Sequence, residues 1–259
     1  SRSKEMAEVF TPSWICNAQN NLIDNAWFGI EGAFNKEITT ATGVRSWEVN
    51  SNKITFPKGK SWKDYIRDTR LEVACGEAPY ITSRYDSTTG ENIPIDKRVG
   101  ILDRKLRIIN ENANSSGEWL KAAQIAFKNT YAFEWQGDSL LLAREAMLAT
   151  FIENYAQRFN EEPLLKSIKF IAYIISWNVW QMDGLKGVIP NSCGKKTEVN
   201  VNLFGETETK YTFCGGCEKS DTKKHNGVYC LIKDWSNKDK QTGKTGRKIR
   251  YTDLISGRR

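Results

Sequence analysis

Residues 71–80 read LEVACGEAPY, and they combine a short apolar strand with an acidic side chain and a turn of small residues. Glu72 lies at the end of the predicted strand, and Ala74, Cys75 and Gly76 follow it. Such a turn lets backbone N–H groups approach a nucleotide-type cofactor, while the acid accepts hydrogen bonds from hydroxyl groups. A tight strand-to-helix turn around a buried cysteine explains the same sequence, so other segments must decide between the two.

Apolar periodicity predicts that strands and helices alternate along the chain. Strands are expected at residues 53–56, 71–74, 131–135 and 178–182. Helices are expected at residues 13–26, 99–110, 119–130 and 139–157, and residues 164–176 form a further apolar segment. This alternation predicts an α/β fold whose parallel sheet carries helices on both faces.

Acidic residues stand at or just after three of the predicted strand ends. They are Glu72, Glu134 and Asp183. Ligands of doubly wound sheets bind at the carboxyl ends of the strands, so these acids are candidates for one shared pocket that holds ribose hydroxyls and an adenine amine. Acids also follow strands for solubility alone, and both interpretations stay open at this point.

The composition limits the class of protein. The chain has 259 residues, of which 39% are hydrophobic and 27% charged, so it can bury a sizeable core. No apolar run approaches the roughly 20 residues of a membrane span, and the first ten residues lack the apolar core of a signal peptide. We therefore expect a cytoplasmic protein without a membrane partner. The net charge is +7, and its basic C-terminal part is either a solvated tail or a contact for nucleic-acid phosphates.

Four of the six cysteines lie near the C-terminal end of the chain, within residues 193–230: Cys193, Cys214, Cys217 and Cys230. Cys214 and Cys217 form a CxxC pair around two glycines, which is typical of a zinc knuckle. Together, the four thiolates predict a closed, structural zinc site in a zinc-ribbon-like module. Cys193 is alternatively a buried apolar residue, and His225, the single histidine, is either an exposed turn residue or a replacement ligand.

Four segments follow one another along the chain: residues 8–12 (EVFTP), 71–76 (LEVACG), 131–145 and 178–185. In this order they resemble the motifs of the adenine-specific DNA methyltransferases of restriction–modification systems. Glu8-Val9-Phe10-Thr11-Pro12 resembles their N-terminal motif, and residues 71–76 resemble their cofactor turn. Residues 131–145 (YAFEWQGDSLLLARE) and 178–185 (NVWQMDGL) resemble the next two motifs. The resemblance implies a Rossmann-like methyltransferase sheet that binds S-adenosylmethionine. The cofactor-binding residues that it implies are Phe10, Thr11, Pro12, Glu72, Cys75, Gly76, Glu134 and Asp183.

The resemblance assigns a role to each part of this set. Phe10, Thr11 and Pro12 would wall the pocket near the methionine moiety, with Glu72 beneath it. The Cys75-Gly76 turn would lie under the cofactor. Glu134 would accept the ribose hydroxyls, and Asp183 would accept the adenine amine.

Two departures from the family pattern affect the expected function. Ala78 and Pro79 stand where family members carry a small residue, usually glycine. The catalytic string Asn/Asp-Pro-Pro-Tyr/Phe, which holds the flipped target base, is absent from the sequence. The sequence therefore predicts a cofactor-binding domain at residues 1–187 and a zinc-binding module with a basic tail at residues 188–259. The predicted function is that of an S-adenosylmethionine-binding DNA adenine methyltransferase-like protein of a restriction–modification or mobile-element system, with catalysis left open. The alternative is a non-catalytic relative with a structural zinc site that binds DNA or a protein of a defence system.

Overall fold

Three short parallel strands form the centre of the fold. They are β3 (Arg70–Val73), β4 (Thr130–Glu134) and β5 (Val179–Gln181), and they pair in the order β3-β4-β5. The computed structural model describes residues 10–194, 196–201, 205–243 and 245–256. The register places Glu72 beside Ala132 and Glu134 beside Gln181, so the carboxyl ends of neighbouring strands lie together. The fold is therefore mixed α/β with a small parallel sheet.

Helices surround one face of this sheet. Ala132 and Val179 of that face belong to a core that also contains Trp119, Phe127 and Phe151. The helices of the described residues are α1 (Ser13–Phe28), α2 (Trp62–Arg67), α3 (Ile101–Asn112), α4 (Ser116–Lys128), α5 (Gly137–Phe159), α6 (Leu165–Asn178), α7 (Gly215–Lys219) and α8 (Tyr251–Ser256), with a 3-10 turn at Ile95–Lys97. None of the helices in the described ranges is long and apolar enough to span a membrane.

The opposite face of the sheet is covered mainly by the C-terminal segment. Phe133 packs there with Met182, Cys230 and Ile232, and the ring of Tyr251 lies 4.7 Å from the ring of Phe133. The hairpin of β8 (Leu231–Lys238) and β9 (Thr245–Arg250) contributes Ile232 and Ile249 to this cover. The second face thus carries a hairpin and the short α8, and this differs from the expected layer of helices.

Two further antiparallel hairpins lie outside the central sheet. They are β1 (Asn35–Thr39) with β2 (Arg45–Val49), and β6 (Lys196–Val201) with β7 (Thr207–Thr212). The strand predicted at residues 53–56 is wrong, because this segment is irregular. Of these four residues only Ile54 is buried, and its N–H donates to the Glu111 carboxylate at 2.8 Å instead of to a neighbouring strand.

Buried polar side chains fix the loop that follows β3. The Asn20 side chain on α1 donates to the Tyr80 carbonyl at 2.9 Å and to the Val99 carbonyl at 3.0 Å. On α3, the Asp103 carboxylate accepts the Ser83 N–H at 2.8 Å. Since buried hydrogen bonds of this kind are costly to leave unmade, they hold the loop in one position against α1 and α3.

The segment before α1 is attached to the same loop. The Ser87 hydroxyl donates to the Thr11 carbonyl at 2.6 Å, and the Ser13 N–H donates to the Asp86 carboxylate at 2.7 Å. These contacts bring Phe10 and Thr11 over the turn that follows β3, although about 60 residues of sequence separate them. The N-terminal segment therefore forms one wall of the region beside the turn that follows β3.

Candidate cofactor cleft and metal centre

The turn after β3 has an unusual backbone conformation. Ala74 and Ala78 have φ values of +57° and +62°, and Gly76 has a φ of +55°. Positive φ is uncommon for residues other than glycine and costs on the order of 1–3 kcal/mol per residue. Such strain concentrates at functional sites, which makes this turn a candidate ligand-binding element.

Glu134 at the end of β4 holds this turn in place. Its Oε2 atom accepts the Gly76 N–H at 2.6 Å, and its Oε1 atom accepts the Gln136 N–H at 2.9 Å. The Cys75 N–H donates to the Phe133 carbonyl at 2.9 Å and extends the pairing of the two strands. Each carboxylate oxygen accepts more than one hydrogen bond, so Glu134 retains acceptor capacity for a ligand.

An open cleft lies beside this turn at the carboxyl ends of β3 and β4. It encloses about 480 Å³ of empty space, part of which is open to solvent. The lining residues are Phe10, Thr11, Glu72, Ala74, Cys75, Gly76, Glu77, Pro79, Tyr80, Ser87 and Ser139.

Glu72 is the most unusual group in the cleft. Burial, and to a smaller degree the nearby Glu134 carboxylate, raise the pKa of Glu72 well above its ordinary value, although the Tyr80 backbone N–H donates to its carboxylate. Within the described part of the chain, its Oε2 atom is buried and has no hydrogen-bond partner. A buried polar atom without a partner costs about 1–3 kcal/mol, so a ligand that donates to Glu72 would remove this cost.

The cleft brings together most of the residues predicted to bind the cofactor. Phe10, Thr11, Glu72, Cys75 and Gly76 line it, and Glu134 adjoins it through the hydrogen bond to Gly76. Four further lining residues were not predicted from the sequence: Glu77, Tyr80, Ser87 and Ser139. A polar residue in the first turn of the helix after β4 is a signal that could have identified Ser139; the other three lie in an irregular loop that offers no such signal.

Pro12 and Asp183 are not among the residues that line this cleft. The Pro12 carbonyl accepts the Ile15 N–H at 3.0 Å, and Pro12 thereby begins α1. The Asp183 carboxylate accepts the Leu185 N–H at 3.1 Å and forms an ion pair of 3.1 Å with Lys186. Their roles in cofactor binding therefore remain predictions. Of the motif residues before Phe10, Glu8 and Val9 lie outside the described residues, as do Lys244, Arg258 and Arg259 of the basic tail.

A second candidate site brings together Cys193, Cys214, Cys217 and His225. The three Sγ atoms and a ring nitrogen of the histidine all lie within 4.8 Å of one another. Cys214 precedes α7, Cys217 lies on it, and His225 follows in the next loop. This group can hold a metal ion such as zinc.

The distances around His225 agree with those of a tetrahedral metal site. Its Nδ1 atom lies 3.5 Å from Cys193 Sγ, 3.5 Å from Cys214 Sγ and 3.7 Å from Cys217 Sγ. Zinc bonds of about 2.3 Å to sulfur and about 2.0 Å to nitrogen separate the two atoms by about 3.6 Å at the tetrahedral angle. A single ring nitrogen has one proton or one lone pair, so hydrogen bonding to three thiols does not explain this arrangement.

The electrostatic environment favours a thiolate at Cys214. Desolvation raises its pKa, but hydrogen bonds, first from the backbone of Asn226 and then from that of Cys217, outweigh this effect and lower the pKa to about 6. The Asn226 N–H lies 3.3 Å from the sulfur. Metals bind thiolates and not thiols, so a backbone N–H aimed at the sulfur is a typical supporting contact for a metal ligand.

The fourth ligand differs from the prediction. Cys230 is fully buried against Phe133, Met182 and Ile232, and its thiol contacts the Gln181 carbonyl at 3.5 Å. Cys230 is therefore a small apolar residue that covers the sheet. His225, and not the predicted Cys230, is the fourth member of the candidate metal site. The two positions are five residues apart, and spacing alone did not decide between them.

Two glycines leave the space that this group requires. A Cβ atom on Gly216 would lie 2.6 Å from the His225 backbone nitrogen and 2.7 Å from its Nδ1 atom. A Cβ atom on Gly227 would lie 2.9 Å from the Cys193 sulfur. Contacts this short are not tolerated, so the glycines are required for the close approach of the four side chains.

Comparisons with known proteins do not add to this geometry. No family model matches the chain, and neither the curated proteins nor the solved structures include a significant match.

Proposed function

We propose that this chain binds S-adenosylmethionine in the cleft and is a DNA adenine methyltransferase-like protein with a Rossmann-like cofactor half. The buried Glu72 oxygen without a partner, next to the Gly76–Glu134 hydrogen bond, is the observation that carries this proposal. The cofactor has an ammonium group that donates hydrogen bonds and ribose hydroxyls that also do so. Its chemistry therefore fits a cleft with two acids at adjoining strand ends.

Each residue of the cleft has a role in this proposal. Glu72 would accept the ammonium group, and the remaining lone pairs of Glu134 would accept the ribose hydroxyls. The backbone of Cys75-Gly76 would lie against the cofactor, since Gly76 has open space where a side chain would stand. Phe10 and Thr11 would close the methionine end, and Asp183 would meet the adenine amine after its ion pair with Lys186 opens.

The chemistry that the cofactor supplies is an activated methyl group on a sulfonium. In an active enzyme, this methyl group would pass to an adenine amine, which would lose a proton. A strong base would not be needed, because the sulfonium is an activated donor whose leaving group is a neutral thioether. We assign no residue of this chain to hold the target amine, since the sequence lacks the Asn/Asp-Pro-Pro-Tyr/Phe string.

This missing string favours a second candidate function. A protein that keeps the cofactor cleft without the target-base motif is a non-catalytic DNA- or protein-binding relative of the methyltransferases. The two candidates share the cleft and differ in methyl transfer. An assay with radiolabelled cofactor and duplex DNA separates them, because incorporation of label supports the enzyme and cofactor binding without incorporation supports the non-catalytic protein.

We propose that the metal of the second site is zinc and that its role is structural. Three cysteines and one histidine form a common ligand set of structural zinc sites. Four protein ligands leave no open position for water or substrate, which distinguishes the site from catalytic zinc. Metal analysis of protein purified without chelators should give about one zinc per chain, and a metal-free chain that is fully folded would contradict this role.

The cofactor proposal is tested by calorimetric titration of S-adenosylmethionine into the wild type and a Glu72→Gln variant. A hydrogen bond that involves a charged group, here the ammonium of the ligand, is worth about 1.5–3 kcal/mol, so affinity should fall about 10- to 150-fold. Glu162→Gln, at an exposed position outside the cleft, is the matched control and should bind as the wild type does. Absence of binding by the folded wild type, or equal binding by Glu72→Gln, would refute the proposal.

A further inference from the structure

Helix α6 exposes aromatic rings on one side. Phe170 is 36% exposed and Tyr173 is 43% exposed, although the same helix buries Ile171, Ile174 and Ile175. Phe170, Tyr173 and Trp177 are spaced three and four residues apart, so they follow one another along a single side of the helix. The rings of Phe170 and Tyr173 are nearly parallel, with an interplanar angle of 24°.

Lysine side chains stand over these rings. The Lys233 ammonium lies 4.7 Å from the Tyr173 ring centre and 4.9 Å from that of Trp177, and it also donates to the Tyr173 hydroxyl. Lys248 lies 5.2 Å from the Trp177 ring, and Lys128 lies 5.5 Å from the Phe170 ring. We call this set, Lys128, Phe170, Tyr173, Trp177, Lys233 and Lys248, the aromatic–lysine surface.

The charge around the aromatic–lysine surface is positive. The sequences of α6 (LKSIKFIAYIISWN) and β9 (TGRKIR) contain basic residues and no acid. Asp234 on the neighbouring β8 is 3.7 Å from the Arg247 guanidinium, which offsets its charge. Exposed Lys166 and Lys169 add two cations at the other end of the helix. A partner that fits this surface is therefore negatively charged and has flat groups.

The aromatic–lysine surface and the cleft lie at opposite ends of the parallel sheet. Lys128 ends α4 just before β4, and Trp177 stands two residues before β5, so both mark the amino ends of the strands. The cleft is formed at the carboxyl ends, where Gly76 and Glu134 meet. A ligand of the aromatic–lysine surface is therefore distinct from the cofactor.

We propose that the aromatic–lysine surface binds single-stranded nucleic acid. Bases stack on the exposed rings of Phe170 and Tyr173, while the exposed Lys248 and the half-buried Lys128 contact the phosphates, which is how proteins bind single strands without sequence readout. Duplex DNA fits less well, because its bases are stacked on one another and present no free face to the rings. This inference goes beyond the proposed function and does not depend on cofactor binding.

The test is fluorescence anisotropy with a labelled oligothymidylate of about 16 nucleotides, in the absence of S-adenosylmethionine. Phe170→Ala should weaken binding about 5- to 150-fold, which is the effect of losing one stacked base. Phe170→Tyr should retain affinity, because it keeps an aromatic face. Leu22→Ala, at a residue of α1 that is 70% exposed, is the control for loss of an exposed apolar side chain and should bind as the wild type does.

The salt dependence gives an independent measurement on the same complex. Replacing Lys248 with Gln should lower the slope of log K against log salt by about 0.7, the value of one phosphate contact to a single strand. Tighter binding of duplex than of single-stranded DNA would overturn the proposal. The proposal would also be overturned if Phe170→Ala weakened the binding of a polyglutamate peptide as much as it weakened the binding of the oligonucleotide. That result would indicate a surface for an acidic protein.

Discussion

Replacing Gly216 with alanine tests whether the four side chains of the metal centre must meet at the observed distances. The added Cβ atom would lie 2.6 Å from the His225 backbone nitrogen, whereas ordinary contacts begin at 3.4 Å. His225 would therefore have to retreat by roughly 0.8 Å, the difference between these two distances. Metal–ligand distances tolerate deviations of about 0.2 Å, so the histidine would leave the coordination sphere.

The expected loss of zinc affinity is at least 10- to 100-fold, which is the usual effect of disturbing the groups that position metal ligands. Gly215→Ala is the matched control. Gly215 is the other glycine of the CxxC pair, it lies on the same short helix, and a Cβ atom there meets nothing within 4 Å. Both substitutions change helix propensity in the same way, so the difference between them reports the contact with His225.

Competition with a chromophoric zinc chelator measures both affinities, and limited proteolysis shows whether residues 188–256 stay folded. Gly215→Ala should retain wild-type affinity and resistance, and Gly216→Ala should lose both. Equal zinc affinity in the two variants would refute the reasoning, because His225 would then not need its observed position.

Three further substitutions test the remaining structure. Cys230→Ala should keep the zinc content unchanged and cost about 1 kcal/mol of stability, and loss of metal would restore Cys230 as a ligand. Burial lowers the pKa of Lys105 from 10.5 to about 7, so the unfolded chain holds more protons between these values and stability should rise with pH there. Lys105→Met should remove this rise. If urea unfolding at several pH values gave the variant and the wild type the same increase of unfolding free energy with pH, Lys105 would not be its cause. Gly100→Ala would place a Cβ atom against the Ile81 carbonyl and should cost about 1–3 kcal/mol, whereas Gly117→Ala, with open space, should not destabilise the protein.

Local patterns in the sequence located the strands of the central sheet and most of the longer helices beside it, but not the hairpins β1-β2, β6-β7 and β8-β9. The helix predicted at residues 139–157 corresponds to α5 (Gly137–Phe159), and the strand predicted at residues 131–135 corresponds to β4 (Thr130–Glu134). These elements have apolar residues at regular spacing over long segments, and such periodicity predicts helices and strands directly. The segment at 53–56 has an apolar pair but contacts α3 through Glu111, a partner that periodicity does not reveal.

Only those residues of the candidate cleft that lie at or just after the ends of the parallel strands could be predicted from the sequence. The acids and the turn follow strands, and parallel strands place such residues at one edge, so Glu72, Gly76 and Glu134 were accessible to this reasoning. Tyr80 and Ser87 enter the cleft because Asn20 and Thr11 fix a long irregular loop. These are non-local hydrogen bonds between loop carbonyls and polar side chains, and no spacing rule predicts them.

Whether Cys230 or His225 is the fourth metal ligand depends on one short strand pairing, which Cys230 follows and His225 precedes. Val188 bridges to both Asp183 and Tyr229, and the Cys230 N–H donates to the Gly187 carbonyl at 3.0 Å. This pairing carries Cys230 into the sheet cover, whereas His225 still belongs to the loop that returns from α7. The metal centre therefore joins the segment that follows Val188, which contains Cys193, to the segment that precedes Tyr229, which contains His225. Since the same segments continue into β8 and Tyr251, which cover Phe133 beside Glu134, a metal at this centre would stabilise the face of the sheet opposite the helices.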